Sequence, residues 1–485
     1  MRNRIIALAL CAGMLLLGGC SSDGAAGTSD GTTNNGQESN SPSASGQVVA
    51  DTRTSFEKLF DDGPLLVQGG DGLWGYIDST GSYVIKPQYP DAYEFQANGL
   101  AAVKDPSTGL WGYINTSGEY AIEPAFSRIS PSGFADNGLA AVFDAETDLG
   151  GYINESGEYV IQPTHYYALG DFSDGLAVAG TTGYQYYLDE SGEVQFSLNF
   201  QEAYNLVDGW AVVNHRGLPG YINRDGEHQI FTDAKDVYGF DNGRAFVELH
   251  SGKYKVIDED LEYVSDMEFD DVLISNSRGG GKGAARWSDG LCIVGIETPL
   301  DGGGSYVYDY AINTDGEIVF PDDGQLFLTI TNFTNGYAVA QDAESQKYGI
   351  IDTSGAWTVS PQYDSIGAPT ADGIYLVGDM GLTDGKFINQ NGEAILECVN
   401  PDVQFFGSYR DLIQVKILDE NHDTIYEHFS YVNHDGDLIT DLLFEETSNF
   451  SLDSSYAQVK YNGLWGIIDG EGNWLVEPQF QQIRI

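Results

Sequence analysis

The sequence predicts an all-β protein made of tandem antiparallel β-meander repeats, stacked as a propeller-like or curved open array. The stretch "FQANGLAAVKDPSTGLWGYINTSGEYAIEPAF" (95–126) returns almost unchanged from residue 134, and weaker copies continue to the end of the chain. Its apolar and aromatic phrases are five to seven residues long, which suits strands and is too short for stable helices. The repeat length of roughly 34 to 44 residues falls within the range of propellers and solenoids.

The phrase "LWGYIDSTGSYVIKPQY" (73–89) contains two strands joined by a turn. Trp74 and Tyr76 lie on one face of the first strand, because side chains alternate along a strand. An Asx side chain followed by glycine favours a tight hairpin. Gly75 indicates either close approach of another backbone or a Trp ring lying over the glycine. Pro87 indicates a strand end or an outer edge, because proline cannot donate to the ladder.

A second phrase, of the form "FSDGLAVA" (172–179), accompanies most copies and independently supports about eleven units. One meander leaves an apolar face uncovered, so neighbouring copies must cover it. The Gly-rich insertion, within 277–305, divides the copies into a first group (55–276) and a second group (277–485). The recurring Trp and Tyr residues are interpreted as the core between units, although a ladder of exposed rings for stacking on sugars is the alternative.

The charge balance argues against two kinds of partner. The 485 residues include 73 acidic and 22 basic side chains, for a net charge of −51, while 41% of residues are hydrophobic. This composition permits a folded chain. It argues against nucleic acid, whose phosphates require Lys and Arg, and against adhesion to anionic lipids through protein charge.

The N-terminus predicts export and anchoring. Residues 1–19 read as a signal peptide, with basic residues before a short apolar run. The following "LGGC" resembles the bacterial lipobox, which implies that Cys20 is diacylated and anchors the protein to a membrane. The alternative is an ordinary secretory peptide cut near Gly19. Residues 20–54 read as the lipidated cysteine and a disordered tether rich in Ser, Gly, Thr and Asn.

Three segments of the sequence resemble the WG-repeat (KWG-repeat) family of bacterial proteins. They are "GLWGYID" (72–78), "VIKPQY" (84–89) and "GLAAVK" (99–104). The similarity covers most of residues 56–485. It implies tandem β-repeats on secreted or anchored proteins and a binding role. It implies no catalytic residue.

The sequence patterns that could form a metal, phosphate or thiol site are weaker. The loop 419–424 has oxygen ligands at alternate positions but lacks the Gly and Glu that a calcium loop needs. His422, His428 and His434 do not predict a zinc site, because a turn separates them. "RGGGKGA" (278–284) lacks the ending of a phosphate-binding loop. Cys292 is expected to be buried in place of Ala, and either bonded to Cys398 or free.

The function predicted is a lipid-anchored, extracytoplasmic binding module for a protein or glycan, without enzymatic activity, cofactor or metal. Aromatic residues outside the repeat phase are the candidate ligand contacts, because loops carry function on rigid scaffolds. They are Tyr166, Tyr167, Phe405, Phe406 and Tyr409. The alternatives are a structural surface protein without a small ligand, and a polysaccharide-active enzyme that uses loop carboxylates. A pocket holding two carboxylates with perturbed protonation would favour the enzyme.

Overall fold

A computed structural model describes residues 52–196, 199–275, 282–300, 303–321, 324–370, 372–378, 385–397, 403–405, 411–417, 428–433, 437–451 and 453–485. These ranges contain one short helix and 41 strands, so the all-β prediction is confirmed. The helix α1 (Ser55–Lys58) begins with a capping box, in which Thr54 and Glu57 satisfy each other's backbone N–H groups.

Strands of units one to five are β1 (Leu65–Gln68), β2 (Trp74–Ile77), β3 (Tyr83–Tyr89), β4 (Leu100–Lys104), β5 (Trp111–Asn115), β6 (Tyr120–Phe134), β7 (Ala140–Asp144), β8 (Gly150–Ile153), β9 (Tyr159–Tyr166), β10 (Ala168–Leu169), β11 (Leu176–Thr181), β12 (Tyr184–Asp189), β13 (Glu202–Ala203), β14 (Trp210–His215), β15 (Leu218–Asn223) and β16 (His228–Ile230).

Strands of units six to eight are β17 (Ala234–Val237), β18 (Ala245–Leu249), β19 (Tyr254–Ile257), β20 (Asp271–Val272), β21 (Ile274–Ser275), β22 (Ala284–Ala285), β23 (Leu291–Pro299), β24 (Ser305–Asn313), β25 (Ile318–Phe320), β26 (Phe327–Ile330), β27 (Tyr337–Asp342), β28 (Tyr348–Asp352) and β29 (Trp357–Tyr363).

Strands of units nine to eleven are β30 (Ser365–Ile366), β31 (Ile374–Gly378), β32 (Lys386–Asn389), β33 (Ala394–Glu397), β34 (Val403–Phe405), β35 (Ile413–Ile417), β36 (His428–Val432), β37 (Glu446–Thr447), β38 (Ala457–Tyr461), β39 (Leu464–Ile468), β40 (Trp474–Phe480) and the closing strand β41 (Gln482–Ile483).

Each unit is an antiparallel meander closed by an Asx turn, as the sequence predicts. In the first unit, the Asp78 Oδ1 atom accepts hydrogen bonds from the backbone N–H groups of Thr80 and Ser82, 2.9 and 3.1 Å away. Gly81 then adopts a left-handed φ of 77°. The same carboxylate or amide contact recurs at the turns of the other units, where Asn115 and Asp469 are examples.

The glycine of each "WG" pair lies beneath a bulge of the next strand. A Cβ atom on Gly75 would stand 2.6 Å from both the Ile85 carbonyl oxygen and the Pro87 nitrogen. The pairing register between β2 and β3 shifts at this point. Pro87 therefore lies within an edge strand, at its bulge, and the close approach predicted at Gly75 is confirmed.

Neighbouring units bury complementary faces against each other. In the second unit, Trp111 and Tyr113 of β5 face the third unit, whereas the adjacent Ile114 faces the first. Ala101 and Val103 of β4 share that backward face. Large aromatic rings therefore meet smaller aliphatic side chains across the interface, and the interpretation of the recurring rings as inter-unit core is confirmed.

The stack closes on itself. Within the described ranges, eleven buried clusters join the units in chain order, and one of them joins the eleventh unit to the first. The C-terminal strand β41 completes the first sheet, pairing Val67 with Ile483 and Gln68 with Gln482. Of the two arrangements that the sequence leaves open, the chain adopts the closed, propeller-like one.

Further contacts hold the closure. The backbone N–H of Ser55 donates to the Asp453 carboxylate in the eleventh unit, and that of Phe56 donates to the Ser455 hydroxyl, 2.5 and 3.1 Å away. The Arg484 guanidinium lies 4.4 Å from the centre of the Trp74 ring. Both chain ends of the described array thus lie at the interface between the first and last units.

Candidate functional site

A cavity of about 760 Å³ is formed by units three to five. It falls within the size range of small-molecule sites. Two phenylalanine rings, two carboxylates, hydroxyls and side-chain amides line it. The lining residues are Ser132, Phe134, Ala135, Asp136, Ala168, Leu169, Gly170, Asp171, Phe172, Ser173, Val178, Gly180, Gln185, Ala203 and Asn205. We call this space the unit 3–5 cavity.

The cavity lies where the repeat spacing changes. Phe95 follows Tyr76 by 19 positions, and the two rings pack 4.9 Å apart across the interface between their units. Phe134 follows Tyr113 by 21 positions, and its ring packs in the same way, 5.1 Å away. The two extra residues enlarge the segment around Ser130, where the pairing of β6 with β7 is irregular. The lengthened segment forms one wall of the cavity.

The same change leaves a buried hydroxyl without a partner. The Tyr76 hydroxyl donates to the backbone carbonyl of Tyr93, 17 positions later, at 2.8 Å. The Tyr113 hydroxyl occupies the equivalent place but has no hydrogen-bond partner among the described residues. Burial, and next the Asp171 carboxylate at the cavity, raise the pKa of Tyr113 above its usual value. This tyrosine therefore stays neutral beside a carboxylate that lines the cavity.

Two smaller cavities follow further along the ring. One, of about 480 Å³, lies among units five to seven, and its lining includes Asp208, Asp241, Arg286 and Trp287. The other, of about 440 Å³, is shared by units seven and eight. Arg286 lines both. We call them the unit 5–7 cavity and the unit 7–8 cavity.

The unit 7–8 cavity contains a pair of carboxylates. Asp271 pairs with Gly295, which pairs in turn with Asp309, so the three residues lie in one row on the same face of the sheet. Burial raises the pKa of Asp309 to about 6, although the backbone N–H of Ile330 donates to its carboxylate at 2.7 Å. Cys292, which lines the same cavity, is a buried free thiol whose pKa is raised to about 12 by burial.

Of the aromatic residues predicted as ligand contacts, the three that the structure describes lie in two separate parts of the ring. Tyr166 and Phe405 are 4% and 1% exposed and lie in the cores of different interfaces. Tyr167 is 57% exposed and next to Ala168 of the unit 3–5 cavity. Phe406 and Tyr409 lie outside the described residues, as do Cys20, Cys398, His422, His434 and the loop 419–424.

The sequence analysis did not predict the cavities. The irregular spacing between Tyr113 and Phe134 can be seen in the sequence, but only the fold shows that it opens a space.

Within the described ranges, no group of three or more His, Cys, Asp or Glu residues is arranged to hold a metal ion. In the same ranges, no helix is long and apolar enough to cross a membrane.

Six segments match the family described as "WG containing repeat": 74–105, 111–143, 151–180, 348–378, 429–465 and 465–484. These segments are WG repeats. The matched segments begin at the Trp-Gly pair in units one, two and eleven, where the glycine lies beneath the bulge. The resemblance of the repeated Trp-Gly segments to the WG-repeat family is confirmed.

Several solved structures align with much of this chain, but at low sequence identity and with low TM-scores. A crystal structure of a eukaryotic initiation factor aligns at 11% identity, covering 79% of this chain and 97% of that chain, with a TM-score of 0.36. BamB from Moraxella catarrhalis aligns at 13% identity, covering 58% and 89%, with a TM-score of 0.29. PorZ of Porphyromonas gingivalis, a surface component of the type-IX secretion system, aligns at 10% identity, covering 87% and 73%, with a TM-score of 0.22. No curated protein matches the sequence.

Proposed function

We propose that this protein is an extracytoplasmic binding module, anchored by a lipid on Cys20, whose ligand is a glycan bound in the unit 3–5 cavity. The single observation that carries the proposal is the cavity itself. It has a volume of about 760 Å³, and three successive units contribute to it where the repeat spacing changes. The rest of the ring supplies a rigid support.

The lining suits a neutral, hydroxyl-rich ligand. Asp136 and Asp171 provide carboxylate acceptors, and Ser132 and Ser173 provide hydroxyls. None of the described residues that line the cavity is basic, which disfavours an anionic ligand. The half-buried rings of Phe134 and Phe172 add apolar edges, and aromatic contacts with polar groups at fixed positions are typical of selective small-ligand sites.

The shape favours a glycan over a protein. A stable protein interface buries at least about 1,000 Å² and is centred on well-packed anchors. A concave space of about 760 Å³ instead matches one or two sugar rings. Capture of a folded protein, with no glycan bound, would be the result that favours the protein alternative.

A glycan screen of residues 53–485 tests the proposal. We expect binding of a neutral oligosaccharide that Asp171→Asn weakens roughly tenfold, because a hydrogen bond to a charged acceptor contributes about 1.5–3 kcal/mol. Asp225→Asn is the matched control, since it removes one exposed carboxylate from a turn away from the cavity. Equal affinity in the wild type and both variants would place the ligand elsewhere.

The anchor is tested separately. Cys20→Ser removes the thiol that diacylation requires, so we expect the protein to appear in the medium or to stall before maturation. Unchanged retention in the membrane fraction would contradict the lipobox prediction without affecting the cavity.

One observation favours polysaccharide hydrolysis as a second candidate. Asp271 and Asp309 flank Gly295 in the unit 7–8 cavity, and the raised pKa of Asp309 suits a proton donor. Incubation of residues 53–485 with polysaccharides would then release reducing ends, and Asp309→Asn would abolish the release. Binding without release supports the binding module.

A further inference from the structure

We propose that the unit 5–7 cavity is a second ligand site, which binds the carboxylate of an acidic sugar through the guanidinium of Arg286. This site is distinct from the unit 3–5 cavity in position and in charge. Its lining residues are Val207, Asp208, Phe240, Asp241, Asn242, Ser275, Ala284, Ala285, Arg286, Trp287 and Ser288.

Arg286 is the first element of the site. Most described lysines form ion pairs; Lys235 with Glu248 and Lys253 with Asp270 are examples. Arg286 is exposed at the cavity and forms no hydrogen bond or ion pair with any described residue. A free guanidinium presents planar N–H donors that match a carboxylate bidentately.

Trp287 is the second element. It occupies the repeat position that Phe172 and Phe240 occupy in earlier units, within the words "WSDG", "FSDG" and "FDNG". Its ring stacks on Phe246 with an interplanar angle of 22°, so the apolar role of the position is kept. The residue lines the cavity and is only 3% exposed, yet its indole N–H has no partner among the described residues.

An unpaired buried donor is unfavourable, and phenylalanine would have avoided it. The indole nitrogen is enclosed by protein in this structure, so a ligand oxygen atom becomes its acceptor only when the side chains around it move on binding. Arg286 and Trp287 are therefore two donors at successive positions, both without a partner in the described protein, and Arg286 is the one that is open to the cavity.

The surrounding contacts hold this segment in place before any ligand binds. The backbone N–H of Trp287 donates to the Asp241 carboxylate at 2.6 Å, and the Asn242 side chain donates to the Trp287 carbonyl at 2.9 Å. The Ser275 hydroxyl donates to the Ala284 carbonyl at 3.1 Å. A preformed site loses little freedom when it binds.

The nearby acids define the ligand class. Asp208 and Asp241 line the cavity together with Arg286, so a densely charged anion such as a phosphate would be repelled. A uronic acid carries one negative charge for the guanidinium and several hydroxyls that carboxylates and Ser288 can bind. This combination matches the lining better than a neutral sugar, which offers no charge to Arg286, or a phosphate, whose charge is concentrated on one group.

Isothermal titration of residues 53–485 with trigalacturonate and with the neutral trisaccharide maltotriose tests the site. We expect trigalacturonate to bind more tightly than maltotriose, and Arg286→Gln to weaken its binding at least tenfold. Arg224→Gln is the matched control, because Arg224 is also exposed but lies on a turn away from this cavity. This control should bind as the wild type does.

Trp287→Phe provides an independent variant that folds, because phenylalanine is the residue of the other units. Loss of the N–H alone should weaken binding of trigalacturonate about threefold to tenfold. Undetectable binding of trigalacturonate, equal binding of maltotriose, or unchanged affinity in Arg286→Gln would each overturn the proposal. Asp171→Asn should leave binding of trigalacturonate unchanged, which separates this site from the proposed glycan site.

Discussion

The hydroxyl of Tyr221, in the fifth unit, donates a 2.6 Å hydrogen bond to the backbone carbonyl of Tyr238 in the sixth. The same bond crosses other interfaces, and its acceptors lie 17 or 18 positions after the tyrosine. The further pairs are Tyr76 with Tyr93, Tyr152 with Gly170, Tyr187 with Tyr204 and Tyr431 with Ser448. Each bond links successive sheets within a buried interface, where water does not compete.

Removing one of these hydroxyls should destabilise the ring. Tyr221→Phe leaves the Tyr238 carbonyl without this donor, so we expect the free energy of unfolding to fall by about 1–3 kcal/mol. Urea denaturation measures the change. Tyr113→Phe is the matched control, since its hydroxyl has no partner in the described protein, and it should be neutral or stabilising. An equal loss in both variants would show that the hydrogen bond contributes nothing specific.

The glycine of the WG pair should tolerate no side chain. Gly75→Ala places a Cβ atom 2.6 Å from two backbone atoms, so the bulge must move, at a cost of about 1–3 kcal/mol by comparison with overpacked cores. Gly70→Ala is the control, because nothing lies within 4 Å of its added Cβ. Thermal unfolding of both variants tests this, and an unchanged midpoint for Gly75→Ala would contradict the close approach.

At the interface between units eight and nine, the large and the small side chain occupy swapped positions relative to the other interfaces. Ile350 stands where Tyr113 stands in the second unit, and Tyr375 faces it where other units have a small residue such as Ala101. Tyr375→Ala should cost about 3–5 kcal/mol by leaving a cavity, and Ile350→Tyr about 1–3 kcal/mol by overpacking.

The double variant, Ile350→Tyr with Tyr375→Ala, restores the arrangement of the other units. We expect it to be more stable than Tyr375→Ala alone, so that a double-mutant cycle gives a favourable coupling energy. Strict additivity of the two changes in urea denaturation would show that the two side chains do not compensate each other.

The closing strand should protect the first unit. Deletion of residues 482–485 removes the pairing of β41 with β1 and the contact of Arg484 with Trp74. It exposes an edge that can pair with other chains. We expect faster hydrogen exchange at Leu66 and Val67 and self-association on size-exclusion chromatography. Deletion of the exposed Ile485 alone is the control, and identical exchange in both truncated chains would argue against a closed ring.

Asp309 makes stability depend on pH in an unusual direction. Its folded pKa of about 6 lies above the value of about 4 for an unfolded aspartate. Between these values the folded protein keeps a proton that the unfolded chain has lost, so this group lowers stability as the pH rises from 4 to 6. Above pH 6 its unfavourable contribution is complete.

Asp309→Asn removes that titration while keeping an acceptor for the N–H of Ile330. We expect the variant to be more stable than the wild type at pH 7, by roughly 2 kcal/mol, and to lose less stability between pH 4 and 7. Chemical denaturation at a series of pH values measures both. Parallel pH dependences of the two proteins would contradict the raised pKa.

Much of the architecture could be predicted from local sequence. The alternation of Trp74 and Tyr76 with smaller residues predicted which face is buried, because the side-chain period of a strand is two. Asp78 with Gly81 predicted the turn, because an Asx side chain bonds to its own backbone and glycine accepts a positive φ. The candidate site could not be predicted in the same way. Tyr166 is one residue out of step in the sequence, yet it pairs with Gly150 as Tyr89 pairs with Trp74 and is a core residue.

The sequence by itself determined the strands, the turns and the number of units, because each depends on contacts within about forty residues. The tertiary structure decided that β41 completes the first sheet, that two extra residues after Tyr113 open a cavity, and that Arg286 and Trp287 line a shared space. These features depend on contacts between distant units. No local pattern encodes them, since closure reflects the small rotation between neighbouring sheets summed over the whole ring.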